Sequence, residues 1–255
     1  MCRHIAYLGP ARSLADLLTE RDNALLTQSW APCDMRGGGT VNADGFGVGW
    51  YADTEQPVRY RRSVPMWTDA NFLALCGAVS SGAVLAAVRS ATVGMPVIDT
   101  ACAPFTGDQW LFSHNGRITD WPDSMAVLAA GLPVTDLLTL DAPTDSALLW
   151  ALLRHRISSG ATPEDAVAAL VTEVAALAPG SRLNLLLTDG ETVIGTAWDH
   201  ALSVLSGVDD VVVASEPWDD DPRWQPVPDR HLVVATRSGV RTRDLTDHTT
   251  KTGMT

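Results

Sequence analysis

The strongest constraint on this chain is a succession of short apolar runs, most of them too short for helices. Candidate strands cover residues 3–8, 45–52, 58–62, 83–89, 110–114, 182–188, 192–198, 211–215 and 231–236. Several, such as Ala83-Val84-Leu85-Ala86-Ala87-Val88, are apolar at every position, which is the pattern of a sheet covered on both faces. Helical patterns interrupt these runs in groups. Residues 13–28 open on Ser13 as a cap with Asp16 three positions on. Residues 145–158 place Leu148, Leu149, Leu152 and Leu153 on one helical face, and 163–177 begin with proline in the first turn followed by acids. Strands, then helices, then strands, without βαβ alternation, predict an α+β fold with layered, mainly antiparallel sheets. The glycines of Gly37-Gly38-Gly39 and Gly45-Phe46-Gly47-Val48-Gly49 do not change this. A Trp/Tyr-containing strand follows them where a dinucleotide fingerprint demands a helix, so they read as a turn into a tightly packed strand.

No internal repeat or linker divides the 255 residues, so one domain is expected over residues 1–240, with 216–230 as a long loop. Residues 241–255 are polar and aperiodic and read as a partly disordered tail. No window approaches 18 uninterrupted apolar residues, which argues against a spanning helix. Met1-Cys2-Arg3-His4 is not followed by an apolar signal segment, so neither secretion nor a lipidated Cys2 is expected. A net charge of −12 disfavours nucleic acid and anionic membranes as partners, and suits a cationic or zwitterionic small molecule. The four cysteines, Cys2, Cys33, Cys76 and Cys102, form no Cys-x-x-Cys pair and have no histidines at zinc spacing. No metal or cofactor is expected, and reduced thiols fit a cytoplasmic chain. Cys76, in Phe72-Leu73-Ala74-Leu75-Cys76, reads as a small buried hydrophobe, and Cys33 and Cys102 as loop residues.

Only Cys2 has an unusual position. Removal of Met1 would leave its thiol on the same residue as a free α-amine, whose pKa of about 7.7–8.0 suits a general base. One residue would then supply nucleophile and base, against the reading of an incidental cysteine. Ser113-His114-Asn115-Gly116 follows a strand and is either a turn or an oxyanion hole made by the Asn115 amide and the Gly116 N–H. Arg89 closes a run of six apolar residues, either reaching solvent or turning inward to clamp a carboxylate. Asp145 opens a helix, as a first-turn acid or as the holder of a substrate ammonium. Trp218 and Trp224 flank Asp219-Asp220-Asp221 and read either as core residues or as aromatic faces offered to a cation.

Taken in order, Cys2, Asn42-Ala43-Asp44-Gly45-Phe46-Gly47-Val48-Gly49-Trp50, Arg89-Ser90-Ala91-Thr92, His114-Asn115-Gly116 and Thr144-Asp145-Ser146 resemble the glutaminase domains of class II glutamine amidotransferases. These are N-terminal nucleophile hydrolases. The resemblance covers nearly the whole chain, with least certainty after residue 237. It implies a four-layer αββα sandwich with Cys2 as nucleophile and Asn115 and Gly116 as the oxyanion hole. It also implies that Arg89 holds the α-carboxylate of a γ-glutamyl substrate and Asp145 its α-ammonium. Two departures touch specificity: Ser90 stands where the large amidotransferases carry tryptophan, and Ala147 where many carry an acid. No length remains for a synthetase domain, so the resemblance implies a stand-alone amide hydrolase. The alternatives are a subunit supplying ammonia to a separate synthetase and a non-catalytic binding module. Self-association is left open.

Overall fold

The strand Arg3–Ser13 (β1) shows how the chain is layered. Ile5 and Tyr7 enter one apolar cluster while Ala6 and Leu8 enter another, as the two-residue period of a strand requires. A strand buried on both faces needs a cover on each. In this computed structural model, which describes residues 2–35, 41–52, 54 and 56–246, two stacked sheets and two groups of helices supply it.

The first sheet has seven strands in the order Gln225–Pro226 (β11), Ser203–Ser206 (β9), Val211–Ala214 (β10), β1, Ser80–Val88 (β4), Phe46–Trp50 (β2) and Val58–Arg62 (β3). The second has six, in the order Gly239–Asp244 (β13), His231–Thr236 (β12), Thr192–Ala197 (β8), Arg182–Thr188 (β7), Trp110–Arg117 (β6) and Phe105–Gly107 (β5). Every ladder among the described residues is antiparallel. Ala6, Leu8, Ala83 and Leu85 of the first sheet meet Leu111, Leu186, Val193 and Val233 of the second in a small-residue core between them. Helices Leu14–Leu18 (α1), Leu25–Gln28 (α2) and Ala70–Ala78 (α3) cover the outer face of the first sheet. Ala126–Ala129 (α4), Val134–Leu138 (α5), Asp145–Ser158 (α6) and Pro163–Leu177 (α7) cover the second, where Phe112 stacks on Trp150 at 5.5 Å. The result is the expected αββα sandwich.

Some expectations are corrected. Residues 13–28 are not one helix. Ser13 ends β1 and caps α1 by accepting from the Asp16 N–H at 3.1 Å, but α1 stops at Leu18. The intervening chain is drawn off to the loop after β10, where Asn23 donates from its backbone to Trp218 O at 2.9 Å and from its side chain to Pro217 O at 2.7 Å. The polar tail also begins later than residue 241, because β13 pairs along β12 as an exposed edge. Such a strand is held by backbone hydrogen bonds and by ion pairs such as Arg243–Glu164 at 3.5 Å, so it leaves no apolar signature. Residues 247–255, Met1 and Gly37-Gly38-Gly39 lie outside the described residues.

Candidate active site

Cys2 immediately precedes β1 at the open edge of the interlayer, and the pairing of Arg3 with Val88 sets it beside the end of β4. Its thiol is half-buried. The Ser90 N–H donates to Sγ at 3.4 Å, a backbone dipole suited to a thiolate, and Sγ lies 3.6 Å from Ser90 O. The Cys2 carbonyl accepts from Arg3 Nη1 at 2.9 Å. Arg3 is only 1% exposed and pairs with the equally buried Glu216, Nε to Oε1 at 3.5 Å, while it also donates to Asp34 O. Glu216 Oε2 in turn accepts from the Asp34 N–H at 2.6 Å. Burial pushes the Glu216 carboxyl up, opposed by the Asp34 N–H and by Arg3. The residue with the expected α-amine is thus anchored through its own carbonyl.

Strand β6 carries chemistry on both faces. Leu111 lies in the interlayer core, whereas Trp110 and Phe112 face the helices. Alternation therefore sends Ser113, Asn115 and Arg117 to the interlayer, and His114 and Gly116 to the helices. Asn115–Gly116 is not a turn: both residues lie within the strand, opposite Asn184 and Leu183. Asn115 is buried and donates from Nδ2 to Ser215 Oγ at 2.8 Å, leaving the second amide hydrogen available. His114 Nε2 lies 2.9 Å from Arg182 O, which can only accept, so Nε2 carries a hydrogen, and Nδ1 lies 3.0 Å from Ser146 Oγ. A Cβ on Gly116 would overlap the Arg182 carbonyl oxygen and crowd His114 Nε2, so this position requires glycine.

Arg89 and Asp145 stand on either side. The Arg89 backbone is pinned by Gly45 O at 2.7 Å, and its Nη1 donates to Pro96 O at 2.9 Å. It shares a small cavity of about 30 Å³ with Cys2, His114 and Ser146. The glycine-rich strand supports it from behind, since Asp44 accepts from the Ala91 N–H at 2.8 Å. Asp145 is buried at the first turn of α6, whose cap is Thr144. Oδ1 accepts from Ser146 N at 2.7 Å and Ser146 Oγ at 3.3 Å, and Oδ2 accepts from Ile118 N at 3.1 Å, which leaves Oδ2 a lone pair for a further donor. It faces a cleft of about 610 Å³ that Thr92, Met95 and Arg117 also line. Cys2 and Arg89 thus share one small cavity with His114 and Ser146, Asp145 lines the larger cleft next along from Ser146, and Asn115 and Gly116 follow His114 on β6.

Ser215 and His4 stand behind Asn115. Ser215 receives Asn115 and also accepts from the His4 N–H at 2.9 Å. His4 lies 3.1 Å from Ser113 Oγ. Burial, reinforced by His200, His114 and Arg3, holds its imidazole well below the usual histidine range. Ser215 and Glu216 also line a cleft of about 820 Å³ whose other walls include Asp34, His200, Asp219 and Asp229. This cleft is larger than the small cavity that Cys2 lines. The tryptophan expectation is corrected for Trp218. It is buried, its ring face is taken by the Arg21 guanidinium at 5.0 Å and its neighbour Trp224 packs against it at 6.0 Å. Trp224 Nε1 donates to Asp219 Oδ1 at 2.8 Å. Cys102 is a loop residue, as expected, and a buried one, and burial pushes its thiol up to about 11. Among the described residues, no three His, Cys, Asp or Glu side chains are arranged to hold a metal, and no helix is long and apolar enough to cross a membrane.

A half-buried thiol at a strand start, in a sandwich of two stacked antiparallel sheets between helices, is the arrangement of an N-terminal nucleophile hydrolase. The family described as class-II glutamine amidotransferases matches residues 17–208, and the chain belongs to it. It is 45% identical over 233 residues to the gamma-glutamyl-hercynylcysteine sulfoxide hydrolase of Mycolicibacterium smegmatis, covering 91% of this chain and 95% of that one. The protein of the same name from Mycobacterium tuberculosis is 42% identical over 241 residues, covering 94% and 95%. A glutamine aminotransferase class-II domain protein from Silicibacter pomeroyi shares the fold with a TM-score of 0.68 at 23% identity, covering 96% of this chain and 99% of that one. The glutamine phosphoribosylpyrophosphate amidotransferase of B. subtilis does so at 0.69 and 16% identity, with 96% of this chain matching 50% of the larger one.

Proposed function

We propose that this protein is a cysteine-nucleophile amidohydrolase that cleaves the γ-glutamyl amide of γ-glutamyl-hercynylcysteine sulfoxide, releasing glutamate and hercynylcysteine sulfoxide in ergothioneine biosynthesis. The observation that carries this reading is the near end-to-end identity with the two mycobacterial hydrolases. In the mechanism, Met1 is removed and the Cys2 α-amine takes the thiol proton. The thiolate attacks the γ-carbonyl carbon, and the developing oxyanion is held by Asn115 Nδ2 and the Gly116 N–H. Collapse breaks the C–N bond, and the amine leaves with the proton from the α-amine. Water, deprotonated by the same amine, then hydrolyses the γ-glutamyl thioester to glutamate and free thiol. Arg89 pairs with the glutamyl α-carboxylate and Asp145 with the α-ammonium. The acids of the large cleft suit the trimethylammonium of the hercynyl group. The unpaired thiols of Cys2, Cys33, Cys76 and Cys102 fit a reducing, cytoplasmic setting.

The test is competition between γ-glutamyl-hercynylcysteine sulfoxide and glutamine at equal concentration. Preference for the former is expected. Preference for glutamine overturns the reading in favour of an ammonia-supplying subunit. Cys2→Ala should abolish hydrolysis with the fold intact, and protein retaining Met1 should be inactive. Full activity with Met1 retained would refute the α-amine as base.

A further inference from the structure

Arg117 and Arg182 are directly opposite each other at the ends of β6 and β7. Residues opposed in an antiparallel pair share a face, and Arg117 is two positions beyond Asn115 on the interlayer side. Leu186 confirms this for β7, since it lies in the interlayer core and Arg182 has its parity. Two guanidiniums therefore stand side by side just outside the oxyanion donor. Like charges directly opposite on a sheet repel, so a neutralising partner is called for. Among the described residues neither side chain has a hydrogen bond or ion pair, and Arg182 Nε is buried without a partner. Other arginines of this acidic chain have found carboxylates, as Arg12 has in Asp16 and Asp210, and Arg156 in Glu173.

We propose that Arg117 and Arg182 bind the carboxylate on the carbon that bears the scissile nitrogen, so that the enzyme selects an α-amino acid as its leaving group. This rests on the γ-glutamyl reading above and deepens it. The geometry fits. Two residues along a strand advance about 7 Å, so the pair begins one short step beyond Asn115. In a γ-glutamyl amino acid the second carboxylate is three bonds from the carbonyl carbon that Cys2 attacks. Arg89 shares the small cavity with Cys2, whereas Arg117 lines a different cleft; with the glutamyl α-carboxylate assigned to Arg89, the leaving-group carboxylate falls to Arg117 and Arg182. A planar guanidinium fork suits a carboxylate, and a pair can hold both oxygens. The charge environment agrees: burial and Arg117 lower the Arg182 pKa, while Cys2 acts in the opposite sense, so Arg182 senses both the nucleophile and its cationic neighbour. Ammonia released from glutamine has nothing for this pair to hold.

The test compares γ-glutamyl-S-methylcysteine with its counterpart lacking that carboxylate, γ-glutamyl-S-methylcysteamine. The wild-type enzyme should favour the acid in kcat/KM by on the order of 10- to 100-fold, the range of a charge-assisted contact. Arg182→Gln should bring the ratio close to one, and Arg117→Gln, at a more exposed site, should reduce it less. A misfolded fraction cancels in such a ratio, and Arg117→Gln keeps the test open if Arg182→Gln does not fold. A wild-type ratio near one, or a ratio unchanged in both variants, overturns the proposal. Turnover of neither compound, nor of glutamine or γ-glutamyl-hercynylcysteine sulfoxide, would overturn the γ-glutamyl reading itself and this proposal with it, an outcome distinct from loss of selectivity alone.

Discussion

Glu216→Gln removes the counter-charge of Arg3 while keeping the side chain's size. Arg3 is 1% exposed and Glu216 3%, so the variant leaves a guanidinium deep in the protein without its carboxylate, beside the Cys2 and Asp34 carbonyls. Breaking a buried pair from one side costs about 3–5 kcal/mol, because the surviving charge stays desolvated. For a chain of this size that corresponds to a fall in Tm of roughly 6–20 °C. The net value of the intact pair is a separate matter. Burial raises the Glu216 carboxyl despite its partners, so desolvation outweighs their pull on the charge. Replacing both residues, as Arg3→Met with Glu216→Leu, should therefore recover most of the lost stability. It should not recover activity, because the Arg3 donor that holds the Cys2 carbonyl at 2.9 Å is gone. Thermal unfolding followed by circular dichroism, beside hydrolysis of a chromogenic γ-glutamyl anilide, separates the two effects. A loss below about 1 kcal/mol in Glu216→Gln, against the 3–5 expected of a broken buried pair, would refute the burial argument. A double variant with full stability and full activity would refute the anchoring of Cys2.

Asn115→Ala should lower kcat by about 10²–10³ with little change in KM, read by steady-state kinetics, since one oxyanion donor acts on the transition state. Gly116→Ala should inactivate the enzyme, because its Cβ overlaps a carbonyl of the neighbouring strand, and a crystal structure should show β6 and β7 forced apart at Arg182. Arg89→Ala should raise KM by about one to two powers of ten for γ-glutamyl substrates and leave analogues without the α-carboxylate unaffected. His4 titrates well below 6.5 in the folded protein, so the unfolded chain binds the proton first as pH falls through 6.5. The folded state should thus lose up to about 1.4 kcal/mol per pH unit below that point, measured by guanidinium midpoints, and His4→Asn should flatten this part of the curve.

The interior strands were legible because burial on both faces writes continuous apolar runs, and β4, β7, β10 and β12 all appear where those runs lie. Two edge strands were not, although β3, also at an edge, was read at residues 58–62. β13 is exposed at most positions and β11 is two residues long, so neither needs an apolar pattern. α3 was hidden because Phe72 and Cys76 are its buried residues, too few to mark a helical stripe. Within the site, Cys2, Arg89, Asn115, Gly116 and Asp145 could be named from short motifs and family resemblance. Ser215, Glu216 and Arg182 could not, since each acts on a residue far away in sequence and beside it only through strand register. His4 and Ser215 stand far apart in the sequence. Only the β1–β10 pairing shows that they form one unit, joined by Ser215 N to His4 O at 2.9 Å.

The two faces of β6 explain why so short a motif can carry so much. His114 and Gly116 face the helices, where His114 ties the strand to Ser146 on α6 and to Arg182 O on β7. Asn115 and Arg117 face the interlayer, towards Ser215 and the mouth. A slip of one residue would exchange the two sets, placing an imidazole in the oxyanion position and burying Asn115 against helices. Register here is therefore a catalytic variable as well as a structural one. It is fixed by the close approach at Gly116, which no other residue type permits, and by the two hydrogen bonds of His114, which no slipped strand can make. Asp145 ties the same strand end from the other side by accepting from Ile118 N. The groups assigned to the oxyanion, the glutamyl ammonium and the leaving-group carboxylate are thus held by one locked strand end. A change at any of its pins should move kcat and selectivity together.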